Sequence, residues 1–331
     1  MSPIISLKNQ PILKPRRLKK GDKVIVVSPS QPITNPKYFK RGLKTLEGLG
    51  FRVETSKHVN TVYGMYKAGT PAERAADLNE AFARKDIKGI FMSVGGFLAN
   101  QVLPLLDYKL IRHNPKVLIG FSDGTTLLNA IYRRSRIVTF HGFNIEHFFM
   151  KANSYTIKSF QNICSEGGTT FLRRSKWQIL KSGHVHGKLL GGNLVSFANL
   201  LGTRYFPDIS NSILFFEEHD DFSEDIEGAL TRLINAGIFA EGGAQGIIFG
   251  KMINVTVGSA DKEIQQKFTR PKFFTLNTII KELFKPYKIP IITNVDFGDI
   301  YYPMSIPLGI QAELDTTRSE ITFRLLEPAV R

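Results

Sequence analysis

The stretch "VLIGFSDGTTLL", residues 117 to 128, is an apolar run that stops at a Gly-Phe-Ser-Asp-Gly turn, after which helix-forming residues begin at once. A buried strand, a tight turn and a helix in this order predict one unit of a parallel α/β sheet. Ser122 occupies the centre of a G-x-S-x-G pattern within the turn. Such a turn presents a serine hydroxyl as a nucleophile, but a serine that only caps the following helix fits the same letters.

The residues on both sides of this unit continue a βα rhythm. The strands and helices that the rhythm predicts lie, in chain order, at 23–30, 37–49, 51–56, 70–84, 87–94, 116–121 and 124–134. This order predicts a doubly wound, mainly parallel sheet of the Rossmann or flavodoxin type. Such sheets carry their functional loops at the carboxyl ends of the strands, where both Gly95-Gly96 and Ser122 fall.

The pattern changes near residue 150 to shorter strands with more turns. Strands ending in loops are predicted within four later segments, 184–203, 212–218, 244–252 and 289–298, and an amphipathic helix over 225–239. We therefore expect an N-terminal α/β domain over 1–150, a linker over 151–180 and a C-terminal mixed α+β domain over 181–331.

Composition excludes several classes of protein. With 42% hydrophobic and 22% charged residues in 331, the chain has the profile of a soluble globular protein, and no apolar run is long enough to cross a bilayer. The N-terminal residues are interrupted by prolines and do not form a secretory signal, so we expect a cytoplasmic protein. A single cysteine, Cys164, excludes internal disulfides and cysteine-rich zinc sites.

The formal charge of +15 is spread along the chain, apart from the run "KPRRLKK" at 14–20. No nucleic-acid-binding motif accompanies it, so a basic solvated surface is the favoured interpretation. We expect no nucleic-acid partner, no membrane partner and no cofactor.

Seven segments in order along nearly the whole chain resemble the LD-carboxypeptidases (muramoyltetrapeptide carboxypeptidases) and their relatives, the microcin C immunity proteins. The segments are "RLKKGDKVIVVSPS", "ERAADLNEAFARKDIKGIFMSVGG", "VLPLLDY", "IGFSDGTTLL", "HGKLLGGNL", "ILFFEE" and "FGDIYYPMSIPLG". The "SVGGF" segment at 93–97 is more similar to the microcin C immunity branch.

The resemblance implies a cytoplasmic serine peptidase, commonly a homodimer, whose Ser-Glu-His triad lies between two domains. It makes Ser122 the nucleophile and Glu217, in "LFFEE", the acid that orients the histidine. The backbone amides of Gly96 and Asp123 would form the oxyanion hole. The remaining matches, on the substrate side, are Gly95, Gly191, Gly192, Asn193 and Trp177, the last as an aromatic that stacks on a nucleotide base.

One member of the triad departs from the family pattern. Where the family has Phe-Gly-His, this chain reads Phe297-Gly298-Asp299, while the later prolines and glycine keep their register. A carboxylate with the reference pKa of aspartate is a weaker base than imidazole by about 2.6 units, or roughly 3.5 kcal/mol. Asp299 and Glu217 could share one proton, or the site could be inactive.

Other histidines offer alternatives. His219 would share the strand face of Glu217 and could act as a substitute base, although a loop histidine beside acidic residues is the plainer interpretation. His184 and His186 share a strand face but have no third ligand at a convincing spacing, so we expect no metal. His141 could line the cleft, although a buried side chain with only a packing role is the favoured interpretation. The acidic run at 217–225 is typical of a solvated loop and helix start.

Two functions remain open. The first is a serine carboxypeptidase-type hydrolase that cleaves an amide bond near a free carboxylate, in an LD-linked muropeptide or an aminoacyl-nucleotide analogue. The second is a catalytically silent relative that binds such peptides or nucleotide-linked acids. An α/β-hydrolase esterase is disfavoured, because that fold places its histidine late and this chain has none after His219.

Overall fold

A computed structural model describes residues 10–146, 154–268 and 274–331. Within them the strands are β1 (Lys23–Val27), β2 (Arg52–Thr55), β3 (Ile87–Met92), β4 (Val117–Gly120), β5 (Thr139–His141), β6 (Gln178–Lys181), β7 (His184–Asn193), β8 (Ser212–His219), β9 (Ala244–Ile253), β10 (Ile291–Thr293), β11 (Ile306–Leu308), β12 (Gln311–Asp315) and β13 (Thr322–Leu325).

The helices of the described residues are α1 (Pro36–Gly48), α2 (Pro71–Ala83), α3 (Tyr108–His113), α4 (Gly124–Ser135), α5 (Ser154–Gln161), α6 (Leu194–Ala198), α7 (Ser223–Asn235), α8 (Lys262–Lys267) and α9 (Leu276–Leu283), with a 3-10 helix at Ala99–Leu105 and a π-helix at Asn162–Glu166. None of them is long and apolar enough to cross a membrane.

The first sheet has the order β11-β5-β4-β3-β1-β2. Its five N-terminal strands are parallel, and their buried Val, Ile and Phe side chains pack between helices. Local chemistry defines the helix ends: α2 begins with a capping box in which Thr70 and Glu73 satisfy each other's backbone N–H groups. The predicted doubly wound α/β fold of the N-terminal part is confirmed.

The second sheet has the order β13-β12-β7-β8-β9-β10-β6. Its four central strands are parallel, while β6, β12 and β13 pair antiparallel at the two sides. The predicted mixed C-terminal architecture is confirmed. Its parallel strands place the carboxyl ends of β7 and β8 beside the first sheet, because helix α4 packs against β7.

Two expected boundaries need correction. Residues 154–180, expected to form a linker, instead carry α5 and the π-helix, and they bury Phe160 and Cys164 in the core of the first sheet. Residues 151–153 lie outside the described part. Strand β11 belongs to the first sheet although it lies late in the chain, because it pairs antiparallel with β5. Neither feature has a local signature, since both depend on long-range packing.

A junction of polar contacts fastens α4 to the end of β7. The backbone N–H of Asn193 donates to Thr125 Oγ1 at 2.9 Å, and Asn129 Nδ2 donates to the Gly191 carbonyl at 2.8 Å. Gly192 has φ +131°, and a Cβ atom there would lie 2.8 Å from Thr125 Cγ2. Glycine is therefore required at this point for both conformation and space.

We expect Gly192→Ala to lower the free energy of unfolding by about 2–4 kcal/mol, because strain and overpacking act together. Urea denaturation followed by circular dichroism measures this change. The matched control is Gly228→Ala, on an exposed and uncrowded face of α7, where alanine is expected to stabilise by about 0.5–1 kcal/mol. Equal effects of the two substitutions would contradict the proposed junction.

Candidate active site

Ser122 lies on a sharp elbow between β4 and α4. Its backbone adopts φ +59°, a left-handed conformation that costs free energy for any residue other than glycine. The N–H groups of Gly124 and Thr125 donate to the carbonyls of Phe121 and Ser122 at 3.1 and 2.9 Å, which closes the turn. Backbone strain of this kind at a serine beside a cavity is consistent with the predicted nucleophile elbow.

The two glycines of the G-x-S-x-G pattern have a role that the sequence did not reveal. Neither has a positive φ; the serine between them does. A Cβ atom on Gly120 would lie 2.9 Å from Met92 Cγ, and one on Gly124 would lie 2.6 Å from Met92 Sδ. Both glycines therefore make room for the side chain of Met92 on the neighbouring strand.

The Gly95-Gly96 turn, which follows β3, packs directly against the elbow. A Cβ atom on Gly95 would lie 2.8 Å from Ser122 Oγ, so only glycine leaves the hydroxyl its space. The Asp123 carboxylate braces the residues after the turn, accepting hydrogen bonds from Ser30 Oγ at 2.5 Å and the Ala99 N–H at 2.8 Å. Burial raises the pKa of Asp123, and these hydrogen bonds oppose the shift.

Two backbone amides are available near Ser122. The Asp123 N–H belongs to the start of α4, where helical amides lack partners within the helix and the helix dipole favours negative charge. Gly96 adopts φ +136° in the adjoining turn. An oxyanion hole needs two N–H groups on one side of the nucleophile, and the assignment of Gly96 and Asp123 to this role stays a prediction.

A cavity of about 590 Å³ opens beside Ser122. The first domain contributes Gly95, Gly96 and Asp123 to its lining, and the second contributes Asn193 and the residues at the end of β8. Six of the residues predicted from the sequence therefore meet here: Gly95, Gly96, Ser122, Asp123, Asn193 and Asp299.

Glu217 is fully buried and is not among the residues that line this cavity. A Cβ atom on Gly298 would lie 3.2 Å from Glu217 Oε2, so the carboxylate is adjacent to the loop that carries Asp299. Glu217, on strand β8, thus lies near the residue that precedes Asp299 in the chain.

Glu218 is a cavity residue that sequence reasoning missed. Its carboxylate accepts from Asn193 Nδ2 at 2.7 Å and from the Val195 N–H at 3.2 Å, and burial raises its pKa. These bonds tie the end of β8 to the end of β7. The alternation of strand residues could have signalled it, since Glu217 and Glu218 must point to opposite faces.

His219 reaches the cavity from the last position of β8. Its Nδ1 lies 3.2 Å from Asp220 Oδ2 and 3.8 Å from Asp299 Oδ2. The structure therefore places an imidazole beside the aspartate that occupies the histidine position of the resembled family.

Models of the N- and C-terminal domains of LD-carboxypeptidases match residues 24–142 and 186–314 of this chain. A putative carboxypeptidase of Bacillus subtilis, YocD, is 31% identical over 323 residues, covering 88% of this chain and 93% of that protein. The chain belongs to the LD-carboxypeptidase family.

Two further similarities place this LD-carboxypeptidase family member among its relatives. A probable murein peptide carboxypeptidase of Bacillus subtilis is 29% identical, covering 92% of both chains. The structure of the microcin C7 self-immunity protein MccF in complex with aspartyl sulfamoyl adenosine superposes with a TM-score of 0.84 at 25% identity, covering 96% of this chain and 100% of that one.

In this member of the LD-carboxypeptidase family, Trp177 lies apart from the cavity lining. Its side chain is only 5% exposed and packs against Phe323, and its indole N–H donates to Asp296 Oδ2 at 2.9 Å. The structure does not bring the expected stacking aromatic to Ser122. The phenylalanines that line the cavity are Phe97, which is 89% exposed, and the buried Phe121.

His184 and His186 gain a neighbour that the sequence did not suggest. Glu313 on β12 places Oε1 3.0 and 3.5 Å from their Nε2 atoms. Arg324 Nε donates to the other oxygen of this carboxylate at 2.7 Å, lowering its pKa, so a guanidinium already neutralises the group. This cluster lies at the opposite end of β7 from the cavity. The ligand atoms of His184, His186 and Glu313 lie within 4.8 Å of one another, so the expectation that the histidine pair has no third ligand is wrong, and the three residues could hold a metal ion.

His141 is fully buried and does not line the cleft. This agrees with the packing role that the sequence analysis favoured for it. Its ring lies between Phe121, Phe215 and Phe297, with ring centroids 5.6–6.3 Å away, and neither ring nitrogen has a hydrogen-bond partner among the described residues. Burial lowers the pKa of His141 to about 3. The imidazole is therefore neutral in the folded protein at physiological pH.

This burial makes stability depend on pH. Between pH 6.5 and about 3 the unfolded chain protonates His141 and the folded chain does not, so falling pH favours unfolding. We expect His141→Phe to flatten the decline in the free energy of unfolding by about 1.4 kcal/mol per pH unit between pH 6 and 4.5.

Denaturant titrations at several pH values measure this slope. His113→Gln, which changes an exposed histidine, is the control and should leave the slope unchanged. An unchanged slope in His141→Phe would show that another group causes the acid sensitivity.

Proposed function

We propose that this protein is a serine hydrolase of the carboxypeptidase type that uses Ser122 as its nucleophile. The observation that carries the proposal is the strained elbow: Ser122 is held at φ +59° with its side chain against Gly95, at the wall of a cavity that both domains line. Structures maintain such strain where it positions a reacting group.

The amide bond of a substrate in the cavity would be cleaved by acyl transfer. Ser122 Oγ attacks the carbonyl carbon, and the carbonyl oxygen gains negative charge facing the N–H groups of Gly96 and Asp123. Fixed donors of this kind contribute about 3–4 kcal/mol each to lowering the barrier, since they need no reorganisation. Water then hydrolyses the acyl-enzyme.

The relatives support two substrate classes. One relative is named for murein peptides, and another has been solved with an aminoacyl sulfamoyl nucleotide. Both classes present an acyl group and an amide-like bond to a nucleophile. The resemblance also predicts a cytoplasmic homodimer without a cofactor, and these remain predictions.

The charge of the cavity favours an acyl group that carries an ammonium group. Five carboxyl groups and one histidine are among its lining residues, with no lysine or arginine among the described ones. Asp123 and Glu218 are engaged by hydrogen bonds. Asp220, Asp221 and Asp299 surround His219, in a chain whose net charge is +15. A free carboxylate on the substrate would therefore have to rely on neutral donors, which are side chains such as Asn144 and Asn199 and backbone N–H groups.

We expect lysyl sulfamoyl adenosine to bind at least about tenfold more tightly than glutamyl sulfamoyl adenosine, because partly exposed charges about 4 Å apart interact by 1 kcal/mol or more. Isothermal titration calorimetry on Ser122→Ala measures both affinities. Adding Asp221→Asn should reduce the difference in affinity between the lysyl and glutamyl compounds, and high salt should reduce it too. Tighter binding of the glutamyl compound would contradict this selectivity.

Ser122→Ala should abolish both hydrolysis and covalent labelling by a fluorophosphonate probe, because the attacking oxygen is removed. Ser122→Gly should do the same while raising the melting temperature, because glycine adopts the left-handed conformation at little cost. Gel fluorescence and a thermal melt measure the two effects.

Ser210→Ala, which changes an exposed turn serine, should be labelled as the wild type is. Labelling of the wild type that survives in Ser122→Ala would refute the assignment.

A catalytically silent binding protein is the second candidate, and Asp299 is the observation that favours it. In this case the wild type would bind aminoacyl sulfamoyl adenosines without being labelled or releasing products. Asp299→His would then create activity, because it restores the imidazole of the family pattern beside Glu217. Turnover by the wild type at ordinary enzyme rates would exclude this candidate.

A further inference from the structure

His219 is held at the cavity by a constrained backbone. It is the last residue of β8, pairs with Ile253, and its N–H donates to Glu218 Oε1 at 3.2 Å. Asp220, the next residue, adopts φ +53° and donates its N–H to the Ile253 carbonyl at 3.0 Å. The left-handed residue turns the chain immediately after the histidine, so the imidazole is positioned rather than free in a loop.

The two ring nitrogens of His219 have different surroundings. Nδ1 faces two carboxylates, with Asp220 Oδ2 at 3.2 Å and Asp299 Oδ2 at 3.8 Å. Among the described residues, no hydrogen bond involves Nε2. A carboxylate on Nδ1 keeps the proton on that nitrogen and leaves Nε2 as the acceptor, which is the arrangement of a catalytic imidazole.

We propose that His219 is the general base of this enzyme and that Asp299 and Asp220 are the positioning residues that orient it. This proposal rests on the assignment of Ser122 as the nucleophile. His219 is the histidine that lines the same cavity as Ser122 among the described residues.

The proton balance of the reaction is complete with this group. As Ser122 Oγ bonds to the carbonyl carbon, its proton moves to His219 Nε2 and the π electrons of the carbonyl move to oxygen. The imidazolium then donates that proton to the leaving nitrogen as the C–N bond breaks. In the second half, Nε2 accepts a proton from water, whose oxygen attacks the acyl-enzyme, and returns it to Ser122 Oγ.

Negative charge surrounds His219. Asp220 and Glu218 on its own segment, Asp221 beyond the turn and Asp299 on the loop after β10 are carboxyl groups that line the cavity around it. Negative groups stabilise the imidazolium that forms when Nε2 accepts the proton. Imidazole is also the stronger base by its reference pKa, about 6.5 against about 3.9 for an aspartate carboxyl, which favours His219 over Asp299 as the base.

Labelling of Ser122 by a fluorophosphonate probe tests the proposal without knowledge of the natural substrate. The second-order labelling rate is measured from pH 5 to pH 9 for the wild type, His219→Gln, Asp299→Asn and the surface control His113→Gln. We expect the wild type and His113→Gln to share one profile of rate against pH.

His219→Gln should lower this rate by about 100-fold or more and flatten the profile of rate against pH, because general-base assistance is worth about 10²–10⁴-fold. Asp299→Asn should keep a pH-dependent rate but change the shape of the profile, because the carboxylate 3.8 Å from Nδ1 is lost. A merely structural role for Asp299 would lower the rate equally at every pH.

Chemical rescue separates loss of the base from loss of the fold. Added imidazole should accelerate the labelling of His219→Ala at least several-fold, and it should leave the wild type unchanged. A thermal melt of each variant confirms that it is folded.

The outcomes distinguish this proposal from the proposed function. A wild type that is not labelled at any pH overturns the nucleophile and the base together. In a second outcome, Ser122 of the wild type is labelled, His219→Gln keeps the wild-type profile of labelling rate against pH, and Asp299→Asn loses it. The proposed hydrolase function then holds, but Asp299 is the base instead of His219. Failure of imidazole to rescue a folded His219→Ala also counts against His219.

Discussion

The left-handed backbone at Ser122 is the constraint on which the rest of the site depends. A serine keeps this strained backbone conformation only if the surrounding structure prevents the chain from relaxing. Three sets of contacts restrain the backbone here. Gly95 closes one side, Met92 fills the space beneath the flanking glycines, and α4 is fastened to the end of β7. Ser122 is thus positioned by both domains.

Much of this could be predicted from local sequence. The strand, turn and helix around Ser122, the glycine turn before it and the capping box of α2 are all encoded within a few residues. The resemblance located Glu217 and the Gly191–Asn193 segment, and it identified Asp299 as a departure. These are features in which a short pattern specifies a conformation or a side-chain type.

Features that depend on distant segments could not be predicted. The contact between Glu313 and the histidine pair, and the place of Trp177 against Asp296, require knowledge of which strands become neighbours. His219 illustrates the limit best: its strand position suggested a substitute base, but only the folded chain shows that Nδ1 faces Asp299. The acidic lining of the cavity is likewise invisible in a sequence whose net charge is +15.

The return of β11 to the first sheet affects how the chain is made. Strand β5 ends at His141, but its antiparallel neighbour is synthesised only when Ile306–Leu308 emerges, about 165 residues later. During translation strand β5 is therefore left as an unpaired edge of the first sheet until β11 is made. Exposed edge strands of this kind pair readily with other chains. The N-terminal domain cannot be finished before the C-terminal domain, so a polypeptide stopped near residue 300 would have all the residues of the elbow but not the sheet edge that supports it.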